Sequence, residues 1–140
     1  MNEKIIERAA EIISERAAKN DHNFVTLALM DIDGYPYTTT ISISKSEGIR
    51  WLTLCTGTGS QAKRIANCNK ASVCINEDTY HISLIGTIEE ITDLETKKEM
   101  WYEGLGNHFT GYEDPNYCVL KFTTDRYSML VDWNSAKGSL

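Results

Sequence analysis

No stretch of this chain approaches the roughly 20 consecutive apolar residues that a membrane helix needs, so no membrane partner is expected. The opening run, MNEKIIERAAEII, is broken by charge throughout and has no apolar core of the kind a secretory signal carries. Paired cysteines are also missing. Cys55, Cys68, Cys74 and Cys118 form no C-x-x-C motif, and no His pair sits at zinc-ligand spacing. These absences point to a reduced, cytoplasmic protein with free, mostly buried thiols. Positive charge is in short supply. Fourteen Lys and Arg face 20 Asp and Glu, for a net charge of -6. A nucleic-acid binder would show a basic face, so that class is not expected. A local basic pocket is still compatible with the balance.

Chemical motifs are scarce in the same way. There is no G-x-S-x-G elbow, no G-x-x-x-x-G-K-[ST] loop and no G-x-G-x-x-G turn within a βαβ unit. The acidic pairs Glu89-Glu90 and Glu113-Asp114 fall on an element face and a turn, and read as solvated. Of three histidines, His22 reads as a surface residue, His108 lies in a Gly-rich loop, and His81 at the start of a strand has the best position. Repeats, linkers and low-complexity runs are absent, so residues 1–140 read as one domain.

What the chain does contain is strand pattern. Residues 3–19 carry Ile5, Ile6, Ala9, Ile12, Ile13 and Ala17 at helical spacing, which predicts a helix with one core-facing stripe. Asp33-Gly34 then divides two alternating runs, a hairpin signal, with Pro36 near the turn where a missing N–H is tolerated. KSEG marks a second turn before a third strand, IRWLTLC. A two-turn helix through QAKRIANC, with Ser60 as N-cap, precedes the strands ASVCI and YHISLIGTIEEIT. Gly86 inside the latter signals a bulge or a close approach. Thr92-x-x-Glu95 reads as a capping box opening a helix to about residue 104, with Leu94, Trp101 and Leu105 on one stripe. NYCVLKFTT is a sixth strand, DRYSMLVDW its continuation or a seventh, and the tail NSAKGSL is expected to fray. Such a succession predicts an antiparallel barrel or sandwich, not a parallel α/β fold.

One corner stands out. In LTLCTGTGSQAKRI an apolar strand ends in two glycines and three hydroxyls, and a basic pair follows at the helix start. Free N–H groups, the positive end of the helix dipole, hydroxyls and a Lys can jointly hold a phosphate. The same residues also serve as a plain capped turn, and spacing alone leaves both readings open.

The order MDIDGYPYTTT, LTLCTGTGSQAKRI, ASVCI, SLIGTIEEITD resembles the pyridoxamine-phosphate-oxidase-like family of flavin-binding split barrels, in its small general-stress-protein branch. The likeness runs from about residue 5 to residue 131. It implies a mainly β, α+β fold: a six-stranded antiparallel split barrel of Greek-key type with peripheral helices. It also implies a homodimer that holds FMN between its subunits. Carried onto this chain, it makes Thr56, Ser60 and Lys63 phosphate ligands, with Arg64 in reserve. Thr38, Thr39, Thr40 and Ile41 would run along the flavin ring, His81 would reach the cofactor from the other subunit, and Trp133 would lie over the ring or simply pack. Three departures stand against the family pattern. Lys63 is third after Ser60 instead of second, the Thr run replaces a usual arginine, and Met129-Leu130 occupy the place of a usual aromatic. The C-terminal Arg-x-His-type segment of the true oxidases is missing, so vitamin synthesis is not expected. The resemblance implies a flavin-dependent oxidoreductase of unknown substrate. The alternative is a non-catalytic cofactor carrier or sensor on the same barrel, taking flavin, haem or a deazaflavin.

Overall fold

The computed structural model describes residues 2–18, 23–59 and 61–140. Helix α1 (Asn2–Arg16) buries Ala9, Ile12 and Ile13, so the apolar stripe is a core face. Strands β1 (Phe24–Met30) and β2 (Pro36–Glu47) form the expected hairpin. Its tip is a five-residue loop in which Asp31 N–H donates to Tyr35 O at 2.8 Å and Gly34 takes φ +88°. β3 (Trp51–Gly57), a short helix α2 (Ala62–Asn67), β4 (Lys70–Glu77) and β5 (Tyr80–Ile91) follow in the predicted order. Helix α3 (Leu94–Met100) and a 3-10 turn (Glu103–Asn107) lead to β6 (Tyr117–Val131) and β7 (Asn134–Ser139).

All pairings are antiparallel, and the strand order is β3-β2-β1-β4-β5-β6-β7. β3 also pairs with β6, which closes six strands into a barrel and leaves β7 attached outside the ring. The sequence's choice between barrel and sandwich is thereby settled as a split barrel. β6 makes closure feasible because it is long. Its first half, Tyr117–Thr123, pairs with β3 and its second half, Arg126–Val131, pairs with β7. Inward residues such as Leu27, Ile43, Leu54, Val73, Ile82 and Leu84 are fully enclosed. Each contributes about 1.5–3 kcal/mol relative to exposure.

A smaller core lies outside the ring, where Met100, Leu105, Tyr117 and Val119 surround Cys55. This explains why β3 is buried on both faces from Leu52 to Cys55: barrel interior on one side, α3 and its following loop on the other. Lys97 is only 6% exposed here, with its Nζ donating to Asp114 O at 3.0 Å.

Several local expectations need correction. The tail does not fray: a turn at Asp132-Trp133, with φ of +49° and +68°, carries it back as β7. α3 is capped one residue later than the Thr92 box, by Asp93, whose Oδ2 accepts from Thr96 N–H at 2.9 Å. It also ends at Met100, so Leu94 is exposed and no Leu94-Trp101-Leu105 stripe exists. α2 starts at Ala62 with Gln61 in the N-cap position and no side-chain cap there; the expected cap, Ser60, lies outside the described residues, as does His22. Glu90 is not a solvated acid, since its Oε2 is buried with no hydrogen-bond partner among the described residues. Gly86 meets both expectations at once. The register slips between Ile85 and Gly86, and a Cβ there would collide with the Thr123 carbonyl.

Candidate functional site

The barrel splits along β2. From Ser42 onward β2 is laddered to β3, starting with Ser42 opposite Cys55. Before that point, among the described residues, Pro36–Ile41 pair with β1 alone. Beyond Cys55, β3 leaves with β6, so that Thr56 faces Cys118 and Gly57 faces Tyr117. One backbone edge of β2, from Pro36 to Ile41, is therefore open. A bulge between Ile43 and Lys45 bends the strand just past the split; Ser44 is buried there, its Oγ 2.8 Å from Thr53 Oγ1.

A cleft of about 300 Å³ occupies the split. Thr40, Ile41 and Ser42 form one wall, and Cys55, Thr56 and Gly57 the other. Phe24 from β1 and Leu105, His108 and Phe109 from the loop after α3 complete it. The structure thus brings Thr40, Ile41 and Thr56 together. Thr38 (exposed) and Thr39 (half-buried) continue along the same open edge, outside the cleft itself.

The basic corner lies at the other end of that edge. Thr58 is not a free ligand, because its hydroxyl donates to Pro115 O at 3.0 Å and its N–H to Asn116 O at 2.8 Å. Gly59 takes φ +83°, a conformation that favours glycine. Lys63 is exposed. Arg64 is engaged: its Nε donates to Asp31 Oδ1 at 3.1 Å, one terminal nitrogen donates to Gln61 Oε1 at 3.2 Å, and its guanidinium lies 3.7 Å above the Tyr37 ring. The Ile32 N–H, and after it the Arg64 guanidinium, hold the Asp31 carboxyl below the usual carboxylate range. Ser60, the central hydroxyl of the sequence argument, lies outside the described residues.

His81 and Trp133 sit elsewhere in the chain's own fold. His81 is exposed at the start of β5, opposite Leu130, with Nε2 3.0 Å from Ser83 Oγ. Trp133 is 73% exposed at the β6–β7 turn. Both lie at the Val131 end of β6, whereas Thr56 pairs at its Cys118 end. Neither lines the cleft.

Phe24, His108 and Phe109 do line it; sequence reasoning missed the two phenylalanines and had ranked His108 behind His81. The only local signal was the glycine-rich character of residues 104–111, which marks a loop able to fold over something. A smaller hollow of about 70 Å³ adjoins the cleft and shares Phe24, Ser42, Leu105 and His108 with it. Asn23, 4% exposed, and Tyr102 form its floor, with Asn23 Nδ2 donating to Tyr102 Oη at 2.7 Å.

The cleft offers little thiolate chemistry. Burial pushes the Cys55 thiol up from its ordinary value, and the neighbouring Cys118 is pushed up to about 12, by burial first and then by Glu90. Both thiols therefore stay protonated near neutrality, and a thiolate is the nucleophilic form. All four cysteines are free. Burial also raises Tyr102, against the hydrogen bonds from Ser42 and Asn23 that favour its ionised form. Among the described residues no group of three or more His, Cys, Asp or Glu could hold a metal ion, and no helix is long and apolar enough to cross a membrane.

The family model of pyridoxamine 5'-phosphate oxidase matches residues 14–130. No curated protein matches the chain. Among solved structures, a Clostridium acetobutylicum protein related to general stress protein 26 of B. subtilis, of the pyridoxinephosphate oxidase family, is similar at 23% identity and a TM-score of 0.87, over 100% of this chain and 97% of that one. A Nostoc punctiforme protein, described as pyridoxamine 5'-phosphate oxidase-related and FMN binding, is 13% identical with a TM-score of 0.63, over 94% of this chain and 93% of that one. A heme binding protein from Mycobacterium smegmatis is 17% identical with a TM-score of 0.68, over 94% of this chain and 57% of that one. At these identities the structural likeness speaks for the fold. Since the family match leaves out only most of α1 and the last strand with its turn, the chain belongs to the pyridoxamine 5'-phosphate oxidase family.

Proposed function

We propose that this protein is an FMN-binding flavoprotein of the cytoplasm, one domain over residues 1–140, that works as an oxidoreductase on a small molecule. The observation that carries the reading is the open edge of β2 beside the cleft, in a chain of this family. A flavin ring presents a polar rim of carbonyl and N–H groups, which matches strand backbone without ladder partners. From Tyr37 to Ile41 the strand advances about 13 Å, at about 3.3 Å per residue. This suits a phosphate at the α2 corner and a ring in the cleft. Lys63 would hold the phosphate together with Ser60, while Thr56, on the cleft wall, would meet the ring end of the cofactor instead and Arg64 stays on Asp31 and Tyr37. Thr38–Ile41 would align the ring, and Phe109 and Phe24 would exclude water from it.

When bound, the flavin supplies hydride or electron transfer. The chain's own part is to bind, orient and shield it. The outward face of β1, β4 and β5 carries small side chains, Thr26, Ala28, Ser72, Cys74 and Ser83, and none of them is fully buried. We assign it to a homodimer contact that would bring the partner subunit's His81 toward the cofactor. The test is a spectrum after gel filtration with added FMN. Retained flavin bands are expected, and Ser60→Ala with Lys63→Ala should raise the Kd about 10-fold or more, the scale of charge-assisted hydrogen bonds. Unchanged affinity in the double variant would remove the phosphate site from this corner.

A second reading places haem in the same cleft, with no catalysis. It is favoured by the exposed His108 imidazole on the cleft wall and by the heme binding neighbour. A Soret band that appears with hemin and is abolished by His108→Ala would replace the flavin reading with this one.

A further inference from the structure

The small hollow beside the cleft differs from it in character. At about 70 Å³ it has room for a functional group and not for a ring. Its wall is rich in hydrogen-bonding side chains, among them Asn23, Ser42, Tyr102, Asn107 and His108, and among the described residues no Asp, Glu, Lys or Arg lines it. An ionised head group would enter without a counter-charge, which is costly in a partly buried site. The Tyr102 oxygen already accepts from the Asn23 amide at 2.7 Å. Ser42 shares a side-chain hydrogen bond with the Tyr102 phenol; that bond uses one of the two hydroxyl hydrogens, which leaves one to give, and both residues line the hollow. His108 stands at the mouth, on the walls of both spaces.

We propose that this hollow is a carbonyl-binding subsite: it takes the neutral carbonyl oxygen of the substrate, with the Tyr102 and Ser42 hydroxyls donating from its wall and His108 from the mouth, while the rest of the substrate lies against Phe24, which borders both spaces, beside the flavin ring that fills the cleft. This deepens the flavin reading and rests on it for the molecule's role as substrate; the pocket itself is built by protein alone. It narrows the substrate to a small, uncharged, carbonyl-bearing compound with a flat apolar body.

Full-length protein, with and without FMN, is titrated with benzamide and, in parallel, with toluene, which has the ring but no carbonyl. Binding is read from backbone amide NMR shifts. Benzamide is expected to move the signals of Asn23 and of residues 102–108 in the FMN-free protein. Tyr102→Phe should weaken benzamide roughly fivefold, the scale of one neutral hydrogen bond, and leave toluene as it was. His108→Ala, on an exposed loop, makes the same discrimination if the Tyr102 variant does not fold. Equal affinity of benzamide and toluene, or benzamide binding unchanged by both substitutions, overturns the subsite. Tyrosine-dependent benzamide binding in a protein that retains no FMN would keep the subsite and discard the flavin instead.

Discussion

Gly86 shows how much one missing side chain can decide. It sits inside β5 where β6 skips a residue, so that Ile85 faces Arg126 and Gly86 faces Thr124. An added Cβ would come within 2.9 Å of the Thr123 carbonyl carbon, and backbone cannot swing aside as a side-chain tip can. Gly86→Ala is expected to destabilise by about 1–3 kcal/mol or more, as for an overpacked core. Urea denaturation measures it, and a change within ~0.5 kcal/mol, ordinary for a surface site, would mean that β6 relaxes freely. The glycine was legible as a disturbance of the strand. Which backbone crowds it was not, because Thr123 is 37 residues away in sequence.

Among the elements, α3 matters beyond its length. Its seven residues bury Lys97 and Met100 over the second core and launch the loop that carries Tyr102, His108 and Phe109 to the cleft. Asp93 caps it, and the Thr96 N–H, followed by the Thr96 hydroxyl, lowers the Asp93 carboxyl from its ordinary value. A depressed folded-state value means that the cap's contribution is present above the unfolded carboxylate value of about 3.9. It fades as pH falls through the folded value. Asp93→Ala should therefore lower the Tm by a few degrees at neutral pH. The gap from the parent protein should close on acidification below the ordinary carboxylate range. A gap that persists undiminished in acid would assign the loss to packing instead of to the charged cap. The neighbouring Thr92 box was a reasonable sequence signal, but Asp93 has the extended backbone of an N-cap and is one residue nearer the helix.

At the scale of the whole molecule, the outward sheet face is the open question in solution. Sedimentation at tens of micromolar is expected to give twice the chain mass. Thr26→Arg, on the exposed side of β1, should yield a folded monomer with weakened FMN retention. A parent protein that sediments as a monomer would withdraw the homodimer and, with it, the partner subunit's His81 as a cofactor contact.

The sequence by itself determined the elements whose information is local. Asp33-Gly34 specified a hairpin, the stripe from Ile5 to Ala17 specified a buried helix face, and alternation specified β1 and β2. Through the order of family motifs it proposed Thr40 and Ile41 for the flavin ring and Thr56 for the phosphate, and the structure sets all three on the walls of one cleft. It missed β7 because that strand buries only Ala136 and its turn puts Asp132 and Trp133 at positive φ, where Asn and Gly would have been the signal. Only the tertiary structure decided that Arg64 is held by Asp31 and Tyr37, that β2 opens after parting from β3, and that His108 and Phe109 fold over the gap. Each of those depends on contacts between residues far apart in the chain. No local propensity encodes such contacts; closing the barrel through β3 and β6 creates them.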